Sequence, residues 1–74
     1  MAITETNLLE IVVNGETRRI PAELTLDQVL LHLGVNPEQV AVEKDRAIVR
    51  KNDWSSTLIQ GGSSLEIVQF VGGG

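Results

Sequence analysis

The sequence predicts an α+β roll: a mixed sheet of four to five strands with one main helix lying across it. Three observations predict it. An Asn-Gly pair sits between two β-prone runs, Thr25 opens a stretch with apolar residues at helical spacing, and the second half breaks into short β-branched segments. The 74 residues show no repeat and no composition shift that marks a second domain, so residues 1–74 are read as one domain. A chain this short buries only about 60% of the surface its unfolded form exposes, which makes the core a single thin layer. Such a core leaves little room for an enclosed active site and favours a carrier or interaction role.

Residues 1–7 are polar and patternless and are read as a frayed lead-in. Leu8-Leu9-Glu10-Ile11-Val12-Val13 forms the first strand. Asn14-Gly15 then turns the chain, because both central positions of a two-residue hairpin need positive φ. Glu16 to Ile20 returns, and Pro21 ends the strand. Thr25 is a helix cap with Gln28 three residues on, the spacing of a capping box. Leu26, Val29, Leu30 and Leu33 follow at i, i+3, i+4 and i+7, so one face is apolar. Gly34 supplies a left-handed stop and Pro37 prevents continuation. Val40 to Lys44 is the next strand, Asp45-Arg46 its turn, and Ala47 to Arg50 a short return. Asn52 to Ser56 is an irregular or single-turn connection. Gly61-Gly62 breaks the chain before a final strand, Leu65 to Val71. In a roll of this kind the first and last strands pair in parallel at the centre.

The expected core follows from these periods: Ile11, Val13, Leu26, Val29, Leu30, Leu33, Val42, Leu65 and Ile67. In the last strand Leu65, Ile67 and Gln69 share one side, while Glu66, Val68 and Phe70 share the other. Burying Glu66 without a partner is costly, so Leu65 and Ile67 take the core side. Val68 and Phe70 are then left outside, with Val12 of the first strand pointing the same way because Glu10 shares its face. Apolar side chains grouped on an outer face suggest a partner-binding patch, the other reading being that Phe70 folds back over the sheet edge to complete the thin core.

Independent catalysis finds little support. Cysteine is absent, so there is no thiolate nucleophile, disulfide or thiolate metal site. His32, the single histidine, falls near the helix C-terminus, where it favours the helix dipole. Glu43 with Asp45, and Glu23 with Asp27, are spaced as solvated neighbours, and the scattered acids supply no metal-ligand set. Gly61-Gly62 lacks the Lys and Ser/Thr of a phosphate loop. A net charge of −4 opposes a phosphate-tracking surface, and Arg18-Arg19 reads as a solvated strand edge. No apolar run has the length that spans a bilayer, and the N-terminus lacks the pattern of a secretory signal. A cytoplasmic protein, monomeric when free, is expected.

The remaining feature is Gly72-Gly73-Gly74, directly after the last strand. Glycines without Cβ atoms let an extended arm pass a narrow channel, and an α-carboxylate at its end is ionised at neutral pH. Such a group can be joined to AMP by a partner and then attacked by sulfur or nitrogen. Together, Ile11-Val12-Val13-Asn14-Gly15, Leu26-Asp27-Gln28-Val29-Leu30, Ile48-Val49-Arg50 with Trp54, and Leu65 to Gly74 give Glu10–Gly74 a clear likeness. This segment resembles the ThiS sulfur carriers of thiamin biosynthesis. It departs from them in two turns, with Asp45-Arg46 where the family often has Asn-Gly, and Gly61-Gly62-Ser63 in place of Asp-Gly-Asp.

The resemblance implies a β-grasp, ubiquitin-like fold and a non-enzymatic carrier acting as co-substrate. It implies that an E1-like adenylating enzyme of the ThiF type activates the Gly74 carboxylate with ATP. Sulfur from a cysteine-desulfurase-derived persulfide then gives a thiocarboxylate, which a thiazole synthase of the ThiG type accepts. No stably bound cofactor is implied, since ATP and magnesium belong to the activating partner. Molybdopterin synthesis, a protein-conjugating modifier and a passive ubiquitin-like binding module remain as other readings of the same tail.

Overall fold

The computed structural model describes residues 7–70, and the turns that divide them into elements have the backbone the sequence demands. The elements are β1 (Leu8–Val13), β2 (Glu16–Pro21), α1 (Leu26–His32), β3 (Val40–Lys44), β4 (Ala47–Ile48) and β5 (Ser64–Gln69). Short 3-10 turns occupy Pro37–Gln39 and Lys51–Ser56. Asn14 at φ 50° and Gly15 at φ 84° close the β1–β2 hairpin, whose register runs from Leu8↔Pro21 to Val13↔Glu16. Asn7, expected in the frayed lead-in, is tied down: its carbonyl accepts from the Ala22 N–H at 2.8 Å.

The helix is fixed at both ends. The Thr25 N–H donates to Gln28 Oε1 at 2.9 Å, the reciprocal half of the expected capping box. Gly34, at φ 78°, sends its N–H to the Leu31 carbonyl, and the Val35 N–H reaches the Leu30 carbonyl, both at 3.0 Å. Those two bonds form a Schellman motif and satisfy carbonyls that the helix end would leave orphaned. Leu26, Val29 and Leu30 are buried against the sheet, while Leu31 and His32 face solvent.

The strand order is β2-β1-β5-β3-β4, with β1 and β5 parallel at the centre and every other pairing antiparallel. This mixed five-stranded sheet carrying one main helix is the β-grasp arrangement. The parallel ladder is short, Val12↔Ser64 and Val13↔Leu65. Beyond it the Asn14 side chain takes over: its Oδ1 accepts from the Ile67 N–H at 2.7 Å and its Nδ2 donates to the Ile67 carbonyl at 3.2 Å. One turn residue therefore shapes the hairpin and extends the central pairing.

Asp45 and Arg46 turn β3 into β4 with φ values of 51° and 75°. They reproduce the positive φ of an Asn-Gly turn with two side-chain-bearing residues. Asp45 is anchored on both sides of its backbone: its N–H donates to the Ser64 carbonyl at 2.7 Å, and its Oδ1 accepts from the Ser64 N–H at 2.9 Å. That Ser64 N–H, and then the Lys44 ammonium at 3.1 Å, hold the Asp45 carboxyl below its ordinary value of 3.8.

Several expectations need correction. Leu33 and Ile67 are half-buried, because they line a groove of about 220 Å³ at the end of the thin core. Ile20, Val40, Trp54 and Ile59 join the core instead. Ile59 is placed by the Ile59 N–H to Leu24 carbonyl bond and the Leu26 N–H to Thr57 carbonyl bond, at 3.0 and 2.8 Å, which lay residues 57–59 beside the entry to α1. Trp54 is 4% exposed, inside the 3-10 turn, and its Nε1 donates to the Val49 carbonyl at 2.9 Å. That bond satisfies the indole N–H, as burial requires. The return strand β4 is shorter than expected, ending at Ile48. The last strand starts one residue earlier than expected, at Ser64.

Candidate functional site

Strand β5 is the last described strand, and its alternation decides what it presents. Leu65 is fully buried and Ile67 half-buried on the helix side, whereas Glu66, Val68 and Phe70 lie exposed. Val68 is 60% and Phe70 56% exposed, as the partner-binding expectation requires. Val12 shares their face by register, since it pairs with Ser64, but it is half-buried and contributes less surface. The register adds residues that the sequence did not place there. Val68 opposes Ala41, and Ile48, 75% exposed, opposes Glu43 on the same side. Alternation inside Val40–Lys44 carried that information, but only the pairing register turns it into a shared surface.

The end of β5 is held as firmly as its middle. The Phe70 N–H donates to the Gln39 carbonyl at 2.8 Å. Gln39 closes the turn begun by Asn36 and Pro37, where Asn36 Oδ1 accepts from the Glu38 N–H at 3.0 Å. Strand pairing therefore carries the chain as far as Phe70. Gly72, Gly73 and Gly74, the expected reactive arm, lie outside the described residues, as does Val71.

Of the acidic residues weighed from the sequence, Asp27 and Asp45 are engaged locally. Asp27 accepts from the Thr25 hydroxyl and from the Gln28 N–H. Asp45 serves the turn described above. Arg19 faces Glu10 at 3.8 Å on the β2 edge, and Arg18 lines the rim of the groove with Gln69. Among the described residues no group of three or more His, Asp or Glu side chains is placed to hold a metal ion. No helix among them is long and apolar enough to cross a membrane.

Comparison with known proteins agrees with this geometry. The ThiS family matches residues 11–74, a span that begins in β1 and runs through the three glycines. The chain belongs to the ThiS family. The crystal structure of a thiamine biosynthesis protein (ThiS) from Geobacter metallireducens superposes with a TM-score of 0.78 at 26% identity, covering 89% of this chain and 100% of that one. A computationally designed protein based on the template of human erythrocytic ubiquitin matches with a TM-score of 0.51 at 18% identity, over 93% and 98% of the two chains, which shows a shared ubiquitin-like fold. A thiazole synthase from Paramagnetospirillum magneticum is 41% identical over 66 residues, 89% of this chain. The chain spans only about a fifth of that relative's length, 20%.

Proposed function

We propose that this ThiS-family chain is a sulfur carrier of thiamin biosynthesis whose working group is the carboxylate of Gly74. The observation that carries the reading is the extent of the family match. It runs from residue 11 through Gly72, Gly73 and Gly74, beyond the described residues. An E1-like enzyme of the ThiF type brings ATP and magnesium, and a Gly74 carboxylate oxygen attacks the α-phosphorus with loss of pyrophosphate. The terminal sulfur of a persulfide then attacks the acyl carbon and AMP leaves. Reductive cleavage of the resulting acyl disulfide by a thiol leaves the thiocarboxylate. A thiazole synthase of the ThiG type accepts that sulfur, and the likeness of this chain to part of a protein named thiazole synthase supports the pairing. The chain itself does no turnover and acts as a co-substrate in the cytoplasm.

Two features of the fold suit the role. Glycines, lacking Cβ atoms, let an extended segment enter a narrow channel, and the Phe70 N–H to Gln39 carbonyl bond fixes the end of the described chain beside Val68. The exposed apolar side chains of Val68 and Phe70, with Val12 beside them, supply the docking surface.

The test uses the chain with its cognate adenylating enzyme, ATP and a persulfide source, followed by intact mass. The native chain is expected to gain the mass of one oxygen-to-sulfur exchange. Amidation of Gly74, or its deletion, is expected to abolish the gain and leave the melting temperature unchanged. Transfer by the amidated chain would sink the mechanism, and a lysine adduct in place of the exchange would make the chain a protein modifier.

A further inference from the structure

The outer face of the sheet carries a charge arrangement that the fold does not need. Across the β3–β5 ladder Glu43 stands directly opposite Glu66, both exposed. Side chains opposed in an antiparallel pair have Cβ atoms about 4.5–5.5 Å apart, and like charges there are destabilising. Among the described residues neither carboxylate has an ion-pair partner. The pairs present join Arg19 to Glu10, Lys44 to Asp45 and Lys51 to Glu38, and neither Arg46 nor Arg50 near β4 reaches Glu43 or Glu66.

On one side the neighbours of these two carboxylates are apolar, and on the other Asp45 and Ser64 are bonded to each other. Ile48 stands beside Glu43 across β3–β4, and Val68 follows Glu66 on the same side of β5 with Ala41 opposite it. Ile48 and Val68 are among the most exposed large apolar residues of the described chain. A face that sets two uncompensated carboxylates beside exposed apolar side chains selects its occupant. A second copy of the same face would bring four carboxylates together, and a phosphate backbone would be repelled. A protein surface that projects an arginine between apolar side chains fits, because a planar guanidinium has enough donors to bridge two carboxylates.

We infer that the Glu43–Glu66 pair, framed by Ala41, Ile48 and Val68, docks an arginine-centred apolar patch on the protein that takes up the C-terminal arm. The inference rests on the sulfur-carrier reading, since Phe70 and the three glycines follow Val68 closely in the sequence. Docking relieves the repulsion that the free chain bears, and it desolvates the carboxylates only where a cation replaces the water. The pair also steers encounter with a basic partner, so its contribution weakens as salt rises.

The experiment compares the native chain with E43Q, E66Q and the double variant E43Q/E66Q. Affinity for the cognate ThiF-type enzyme and for the cognate ThiG-type thiazole synthase is measured by calorimetry at low and high salt. Melting temperature and sulfur loading at saturating enzyme are read alongside. The double variant is expected to bind at least one partner roughly tenfold more weakly, with a flatter salt dependence. It should melt at the native temperature or above it, and it should still be loaded at saturation. Unchanged affinity for both partners with normal loading overturns the inference and leaves the carrier reading standing. A melting temperature several degrees lower makes the pair structural and overturns it too. Absence of loading and of binding in the native chain overturns the carrier reading and this inference together.

Discussion

Leu65 and Val68 lie three residues apart on one strand and live in different solvents. Leu65 is fully buried under α1, and Val68 is 60% exposed on the opposite side of the sheet. The backbone treats them alike, since both belong to the ladder with β3 as partners of Lys44 and Ala41. What differs is the neighbour in the third dimension. The helix covers one face with Leu26, Val29 and Leu30, and no described element covers the other. The inner face therefore carries the stability of the chain, and the outer face is free to carry recognition. A thin domain can separate those tasks so cleanly because its core is one layer deep.

Substitutions on the two faces break the comparison if it is wrong. On the inner side, Leu30→Ala is expected to destabilise by about 2–5 kcal/mol, read by chemical denaturation, because it removes a fully buried side chain and leaves a cavity. A loss of a few tenths would mean that the helix does not seal the core. On the outer side, Phe70→Ala is expected to change stability by less than about 0.5 kcal/mol. Its affinity for the ThiF-type and ThiG-type partners should fall roughly fivefold or more, as for a truncated aromatic anchor. A large drop in melting temperature would instead assign Phe70 to the core.

The smallest effect sharpens the picture at the sheet's end. The Asp45 carboxyl is held below 3.8 by the Ser64 N–H and the Lys44 ammonium, so the folded state binds its proton less readily than the unfolded state. That stabilisation is present above the ordinary value and is lost as pH falls through the depressed one. Melting curves of the native chain and Asp45→Asn, taken between neutral and strongly acidic pH, should therefore converge as pH drops. A constant offset at all pH values would show that the charge of Asp45 contributes nothing and that its hydrogen bond alone matters.

The legible parts of this fold were the local ones. Asn14-Gly15 announced its hairpin because only a few residue types accept consecutive positive φ. Thr25 and Gln28 announced the helix start, and Gly34 its stop, since caps act within one turn. The two sides of β5 were legible from Glu66 alone, and the exposure of Val68 and Phe70 followed. Asp45-Arg46 was placed as a turn from its position, but its geometry was not readable from types so unlike Asn-Gly. Ile59 and Trp54 were missed because their burial depends on segments far away in the chain. Ile59 needs the strand-like contact with Leu24, and Trp54 packs where its turn meets α1. Leu33 and Ile67 had the correct period, yet the layer thins into a groove above them.

The candidate site divides along the same line. The expectation of a carrier with its working group at Gly74 came from composition, the Gly72-Gly73-Gly74 run after a strand and the resemblance to ThiS carriers, which are read without knowing how strands pair. The opposition of Glu43 and Glu66, and their framing by Ile48 and Val68, exists only in the register of β3, β4 and β5. Turn and cap signals are satisfied by atoms a few residues away, so the sequence by itself determined the elements and their order. Register joins residues some twenty positions apart, and it is set by the sum of burial over both faces, where a one-residue slip would send every side chain to the wrong side. That sum is taken only when the sheet closes on the helix, and so the grouping of exposed side chains on the outer face was decided by the tertiary structure.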